Sequence, residues 1–154
     1  AGVLRHYLCD WYAARKIGAR PTGSASRGIG GSPLVGPGNL YFERGTTPPD
    51  EIVKGVDRGL YVTDLIGFGV DTVSGDYSQG AAGQWIEGGR FVHPVHEVTI
   101  AGNLKDILRD VDAVGTDLEF RGSVASPTLR VRQMTVSGSG ARLLRPAAKP
   151  RASW

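Results

Sequence analysis

Histidine and glutamate at close spacing are the raw material of zinc peptidase sites. The stretch FVHPVHEVTI (residues 91–100) holds two of the chain's three histidines, His93 and His96, with Glu97 directly behind the second. A catalytic zinc takes three protein ligands and keeps a fourth position open. The H-E-x-x-H arrangement supplies two of them from one helix face, at i and i+4. Here Pro94 lacks the N–H that a helix needs, and Val98, Thr99 and Ile100 are β-branched. The stretch therefore predicts a strand, whose side chains alternate between two faces. On such a strand His93 and His96 point opposite ways. His93 and Glu97 share a face, which makes two ligands at most. The residue types suit a metal but the spacing does not, so polar side chains on a half-exposed strand is the simpler reading.

The other reactive residue types are scattered. The single cysteine, Cys9, reads as a small buried hydrophobe with no histidine placed beside it by sequence. The loop GSASRGIGGSP (residues 23–33) is glycine-rich, yet no Lys-Ser/Thr pair follows the glycines as in a P-loop, and Pro33 and Pro37 argue against the helix that a dinucleotide site requires. It does not match a G-x-S-x-G nucleophile elbow either. Asp64, Asp71, Asp76 and Glu87 fall among strands and turns, where acids beside glycine cap turns through their side chains. Asp57, Asp110 and Asp112 read as solvated helix faces.

The elements that must position these residues are short. Glycine, 23 of 154 residues, punctuates the chain. Residues 2–8 read as a strand. DWYAARKIG reads as a helix with Asp10 as N-cap, Arg15 and Lys16 in its last turn and Gly18 as its stop. Residues 21–38 read as a long loop and NLYFE as a short strand. A second helix has Pro49, Asp50 and Glu51 in its first turn and ends at Gly59. Residues 60–70 and 70–87 read as strands, and Gly88-Gly89 as a tight hairpin into residues 90–100. Asn103 caps a third helix, residues 104–114, with Leu104, Ile107, Leu108 and Val111 on one face. DLEF and SPTLRVRQMTVS close the fold as strands. The fold class is α+β, with mainly antiparallel sheet and two or three short helices.

Composition narrows the function classes. The length suits one domain. No run approaches the ~20 apolar residues of a membrane span, and no basic-then-apolar leader opens the chain. A single cysteine excludes an internal disulfide framework and fits a reducing compartment. The chain starts with Ala rather than Met, which fits a fragment of something longer. The pI near 9.2 suggests nucleic acid. However, the last 18 residues carry Arg142, Arg145, Lys149 and Arg151 and no acid, so residues 1–136 sum to −1. The basic character belongs to a tail, residues 139–154, expected to be disordered. Nucleic acid is accordingly not the expected partner of the body.

Several stretches together resemble one family: WYAARKIG with TGSASRG, PGNLYFERG, EIVKGVDRGLYVTDLIGFGVDTVSGDYSQGAAGQWIEGG, PVHEVTIAGNLKDIL, and DAVGTDLEFRGSVASPTLRV with MTVSG. In this order they are similar to the C-terminal domain of the TldD/PmbA metallopeptidases, specifically the PmbA (TldE) branch, over residues 2–138. The resemblance implies a cytoplasmic protein, incomplete on its N-terminal side. It implies a heterodimer of TldD-type and TldE-type subunits that cleaves unfolded peptides, matures a peptide antibiotic and degrades an antitoxin. Zinc would be held by the TldD-type partner, through an H-E-x-x-x-H helix and a later cysteine. This chain contains no H-E-x-x-x-H, and between Phe120 and Pro127 it has only RGSVAS where the catalytic branch carries its cysteine-bearing insert. No catalytic or metal-ligating residue is therefore assigned.

The segment that includes GDYSQGAAG, with Asp71, Thr72, Ser74, Gly75, Tyr77, Ser78 and Gly80, is expected to shape the dimer surface or the substrate passage. Glycine-rich strands let a second backbone approach, and an extended peptide can add to a sheet edge. Two other readings remain open: an active peptidase with ligands upstream, and a gyrase modulator-type binding protein, after an older label of the family.

Overall fold

The computed structural model describes residues 3–138. In chain order the elements are α1 (Trp11–Ile17), β1 (Ala25–Ser26), β2 (Leu34–Val35), β3 (Leu40–Tyr41), α2 (Pro49–Lys54), β4 (Arg58–Ile66), β5 (Asp76–Glu87), β6 (Arg90–Asn103), α3 (Leu104–Arg109), β7 (Val111–Val114), β8 (Val124–Ala125), β9 (Leu129–Val131) and β10 (Thr135–Ser137). The class is α+β, mostly antiparallel, with three short helices. The described chain forms two compact units, one from residues up to Ile52 with Leu108–Arg132, the other from Val53–Ile107 with the residues after Arg132.

The first unit is built from small pieces. Helix α1 forms as its caps dictate: the Asp10 carboxylate accepts the Ala13 N–H at 2.6 Å, and Gly18 closes the helix at φ 66°. The expected strand over residues 2–8 is not there among its described residues. The chain's anchor is instead Cys9, whose N–H donates to the Thr22 hydroxyl (2.8 Å) and whose carbonyl accepts the Thr22 N–H (3.1 Å). Residues 3–8 run past without a ladder partner, with Leu4, Tyr7 and Leu8 exposed. The predicted loop 21–38 contains a two-residue antiparallel ribbon, β1 with β2. NLYFE contributes only β3, which pairs parallel with β8. DLEF forms no strand: the exposed Asp117 folds back on its own chain, where its carboxylate accepts both the N–H (3.0 Å) and the hydroxyl (2.7 Å) of Thr128.

The predicted third helix stops at Arg109. The Asp110 carbonyl accepts the Arg132 N–H at 2.9 Å, and β7 pairs antiparallel with β9, so Val111 sits on a strand instead of a helix face. Valine at both ends of β7 suits that outcome. Asp112 is likewise no helix residue. It receives Arg130 through Nε (2.7 Å) and a second guanidinium nitrogen (3.1 Å), with Arg132 at 3.9 Å. These hydrogen bonds, then the charges of Arg130 and Arg132, hold the Asp112 carboxyl below the usual carboxylate range. A depressed folded-state pKa stabilises the fold above the unfolded value of about 3.9, and that contribution is lost as pH falls through the lower folded value. Asp112→Asn is expected to lose about 1 kcal/mol at pH 7 in urea unfolding, and the difference from the parent should shrink below about pH 4.

The second unit is a four-stranded sheet in the order β10-β6-β5-β4, all neighbours antiparallel. Helix α2 ends at Lys54, short of the predicted Gly59, because Arg58 and Gly59 are already paired with Glu87 and Ile86 in the sheet. Strand 70–87 likewise begins late, at Asp76, after a loop. The β5–β6 turn is the expected one: Gly88 and Gly89 take φ 54° and 73°, a conformation that costs other residues.

Strand β6 carries an irregularity that periodicity did not show. Ala81 pairs with Val98 and Gly83 with Val95, so β6 spends three steps where β5 spends two. Glu97, at φ 54°, is the only non-glycine with positive φ among the described residues. This is a bulge of the kind that favours glycine in the left-handed position. It flips the alternation, so that Val95 and Val98 share a face although they are three apart. Glu97→Gly is expected to raise stability by about 0.5–1 kcal/mol, and Glu97→Val to lower it by about as much or more, read as shifts in the unfolding midpoint.

Candidate binding surface

The seven residues expected at the site lie along one continuous stretch. They form the loop from β4 into β5 and the first residues of β5 itself. The Asp71 carboxylate accepts the N–H groups of Val73 (2.8 Å) and Ser74 (3.1 Å), its backbone carbonyl accepts the Gly75 N–H (2.8 Å), and its N–H donates to the Asp76 carbonyl (2.8 Å). The Ser74 N–H, then that of Val73, keep the Asp71 carboxyl ionised to lower pH than usual. The Ser74 hydroxyl donates to the Asp76 carboxylate (2.9 Å). Gly75 is buried at φ 83°, against the Asn103 side chain. The Asn103 amide donates to the Ser74 carbonyl (3.1 Å) and the Asp76 carboxylate (3.3 Å), and its oxygen accepts the Lys105 N–H (3.1 Å) at the start of α3.

Tyr77 is half-buried, and burial raises its hydroxyl pKa. The Ser78 N–H donates to the Gly69 carbonyl (2.7 Å). Gly80 lies against Ile66, and Thr72 is exposed at the loop. The polar groups of this segment are therefore largely spent on one another, as a scaffold for the loop.

What the scaffold displays is apolar, and sequence reasoning passed over it. Phe68 and Val73 project from the loop fully exposed, and Val70 is exposed between them. On the adjoining strand β4, Leu65 is 52 % and Ile66 59 % exposed. The available signal was the near-continuous apolar run LYVTDLIGFGV, which lacks the alternation of a half-solvated strand.

The HPVHE residues are dispersed in function. The His93 ring stacks on Trp85 (centroids 6.5 Å apart, planes at 26°), the Arg58 guanidinium lies 5.5 Å from the same indole, and the Trp85 N–H donates to the Glu87 carboxylate (3.1 Å). His96 and Glu97 are exposed at the bulge. Cys9 is buried in the other unit. Among the described residues no three His, Cys, Asp or Glu side chains group as metal ligands. The zinc of the family that the sequence resembles therefore finds no matching donor set among them. No helix among the described residues is long and apolar enough to cross a membrane.

A sequence model of the PmbA/TldA metallopeptidase C-terminal domain matches residues 1–138. The Metalloprotease PmbA of Escherichia coli O157:H7 is 42 % identical over 137 residues, covering 89 % of this chain and 28 % of that protein. The Metalloprotease TldD homolog of Buchnera aphidicola (Acyrthosiphon pisum strain) is 25 % identical over 154 residues, covering 90 % of this chain and 32 % of that protein. A crystal structure from Thermotoga maritima MSB8, named for modulation of a DNA gyrase, superposes with a TM-score of 0.79 at 35 % identity, over 88 % of this chain and 31 % of that one. The chain thus spans about a third or less of the proteins it matches. The expected tail, residues 139–154, lies outside the described residues.

Proposed function

We propose the following role for a chain that belongs to the PmbA/TldD metallopeptidase family: it is the C-terminal domain of a PmbA (TldE)-type subunit that binds without cleaving. A TldD-type partner would hold the zinc, and the pair would act on unfolded peptides in the cytoplasm. The observation that carries the branch assignment is the difference in identity, higher to a PmbA protein than to a TldD homologue.

Co-purification tests the assignment. Express a full-length family member carrying this domain with the TldD-type subunit of the same genome, a tag on one only. The expected result is a stable one-to-one complex. Separate elution of the two chains over the salt range of about 50–300 mM would contradict it.

A further inference from the structure

Strand β4 occupies an edge position but has the sequence of an interior strand. The order β10-β6-β5-β4 gives it a neighbour on one side only. Exposed edges are normally short, or guarded by lysine or proline. β4 is nine residues long and has neither; its one irregularity is the register shift between Val62 and Asp64. Of its two charges, Arg58 lies over Trp85 and Asp64 accepts the Thr63 hydroxyl at 2.7 Å. Its apolar side chains point both ways. Leu65 stands opposite Ala81 and Val62 opposite Gly83 on one face, while Ile66 stands opposite Gly80 on the other. Apolar residues on both faces mark a strand covered on both. The exposed apolar run continues beyond the ladder through Phe68, Val70 and Val73.

We propose that β4 and the 67–73 loop form an interdomain surface. In an intact family chain, the portion outside the matched domain covers it and adds a strand to the free edge of β4. That portion is large: the matched domain is only 28 % of the E. coli relative. The chemistry of the patch also favours a permanent cover. Six large apolar side chains within twelve residues resemble the hydrophobic interior of obligate interfaces, whereas surfaces that release their partners are more polar. A peptide substrate must leave and the other part of the same chain need not. The inference does not depend on whether the subunit is catalytic.

Hydrogen exchange tests it. Measure the segment 58–73 in this chain alone and the matching segment in the full-length E. coli relative, under the same conditions. The expected result is exchange roughly a hundredfold slower in the full-length protein. This chain should be monomeric by sedimentation, with its segment exchanging equally fast in the parent and in Leu65→Asp. Should Leu65→Asp fail to fold, Val73→Asp, outside the ladder, serves in its place. Equally fast exchange in both proteins would overturn the proposal. So would slow exchange in this chain alone that the aspartate abolishes along with a dimer, which makes a second copy the occupant. Protection in the full-length protein only on adding an unfolded peptide would also overturn it.

Discussion

Gly83→Ala should lower the melting temperature by about 6–12 °C, the equivalent of about 3 kcal/mol in a chain of this length. Gly83 is buried in β5, with β4 on one side and β6 on the other. A Cβ there would overlap the Tyr61 carbonyl oxygen and come 2.8 Å from the Tyr61 carbonyl carbon. Both atoms are backbone and cannot swing aside. The neighbouring register shift between Val62 and Asp64 already absorbs one irregularity at this point of the ladder, so relief requires moving a paired strand. Gly122 is the control, since a Cβ there meets nothing within 4 Å and its φ is not positive. Gly122→Ala should change stability by less than about 0.5 kcal/mol. Thermal unfolding followed by circular dichroism checks both, and a Gly83→Ala midpoint equal to that of the parent would contradict the close approach.

The second large effect is expected at Asn103. Its side chain ties three things together: the Ser74 carbonyl, the Asp76 carboxylate and the first free N–H of α3, at Lys105. Asn103→Ala removes a helix cap and two donors at once, at a cost of about 2 kcal/mol. The loop 71–76 should loosen with it, seen as faster exchange of the Gly75 and Leu104 N–H groups, which donate within this knot. Asn103→Asp separates the contributions. It keeps the cap acceptor but sets a second carboxylate beside Asp76. Like charges raise the folded-state pKa, so the penalty is present at pH 7 and disappears as pH falls and the pair takes up a proton. Asn103→Asp should therefore regain stability relative to the parent between about pH 7 and pH 4, while Asn103→Ala should show no such trend.

Local rules read the sequence well where one residue decides the outcome. Asp10 and Gly18 bracket α1, and Gly88-Gly89 turns β5 into β6, because capping and left-handed backbone are decided within a few residues. The same rules overextended α3 and created a strand at residues 2–8. Val111 and Val114 fit an amphipathic helix by spacing, but β9 was within reach to pair with them, and pairing between strands so far apart in sequence leaves no local trace. The bulge at Glu97 was hidden for the same reason: a glutamate in a left-handed conformation gives no compositional sign, and only the register against β5 shows it. At the candidate surface, the turn-capping role expected of Asp71 is seen in its bonds to the Val73 and Ser74 N–H groups, but the apolar surface beside it left no such local sign. Ser74 and Gly75 share that turn, while Leu65, Ile66 and Phe68 fell within a run read only as a strand and are exposed.

The central claim is that this chain's subunit binds while another subunit carries the zinc. The most direct measurement is zinc content together with cleavage of an unfolded peptide, made on a full-length family member carrying this domain, alone and mixed with its TldD-type counterpart. The account predicts no zinc and no cleavage from the member alone, and one zinc per pair with cleavage from the mixture. Stoichiometric zinc and undiminished cleavage from the member alone would contradict it.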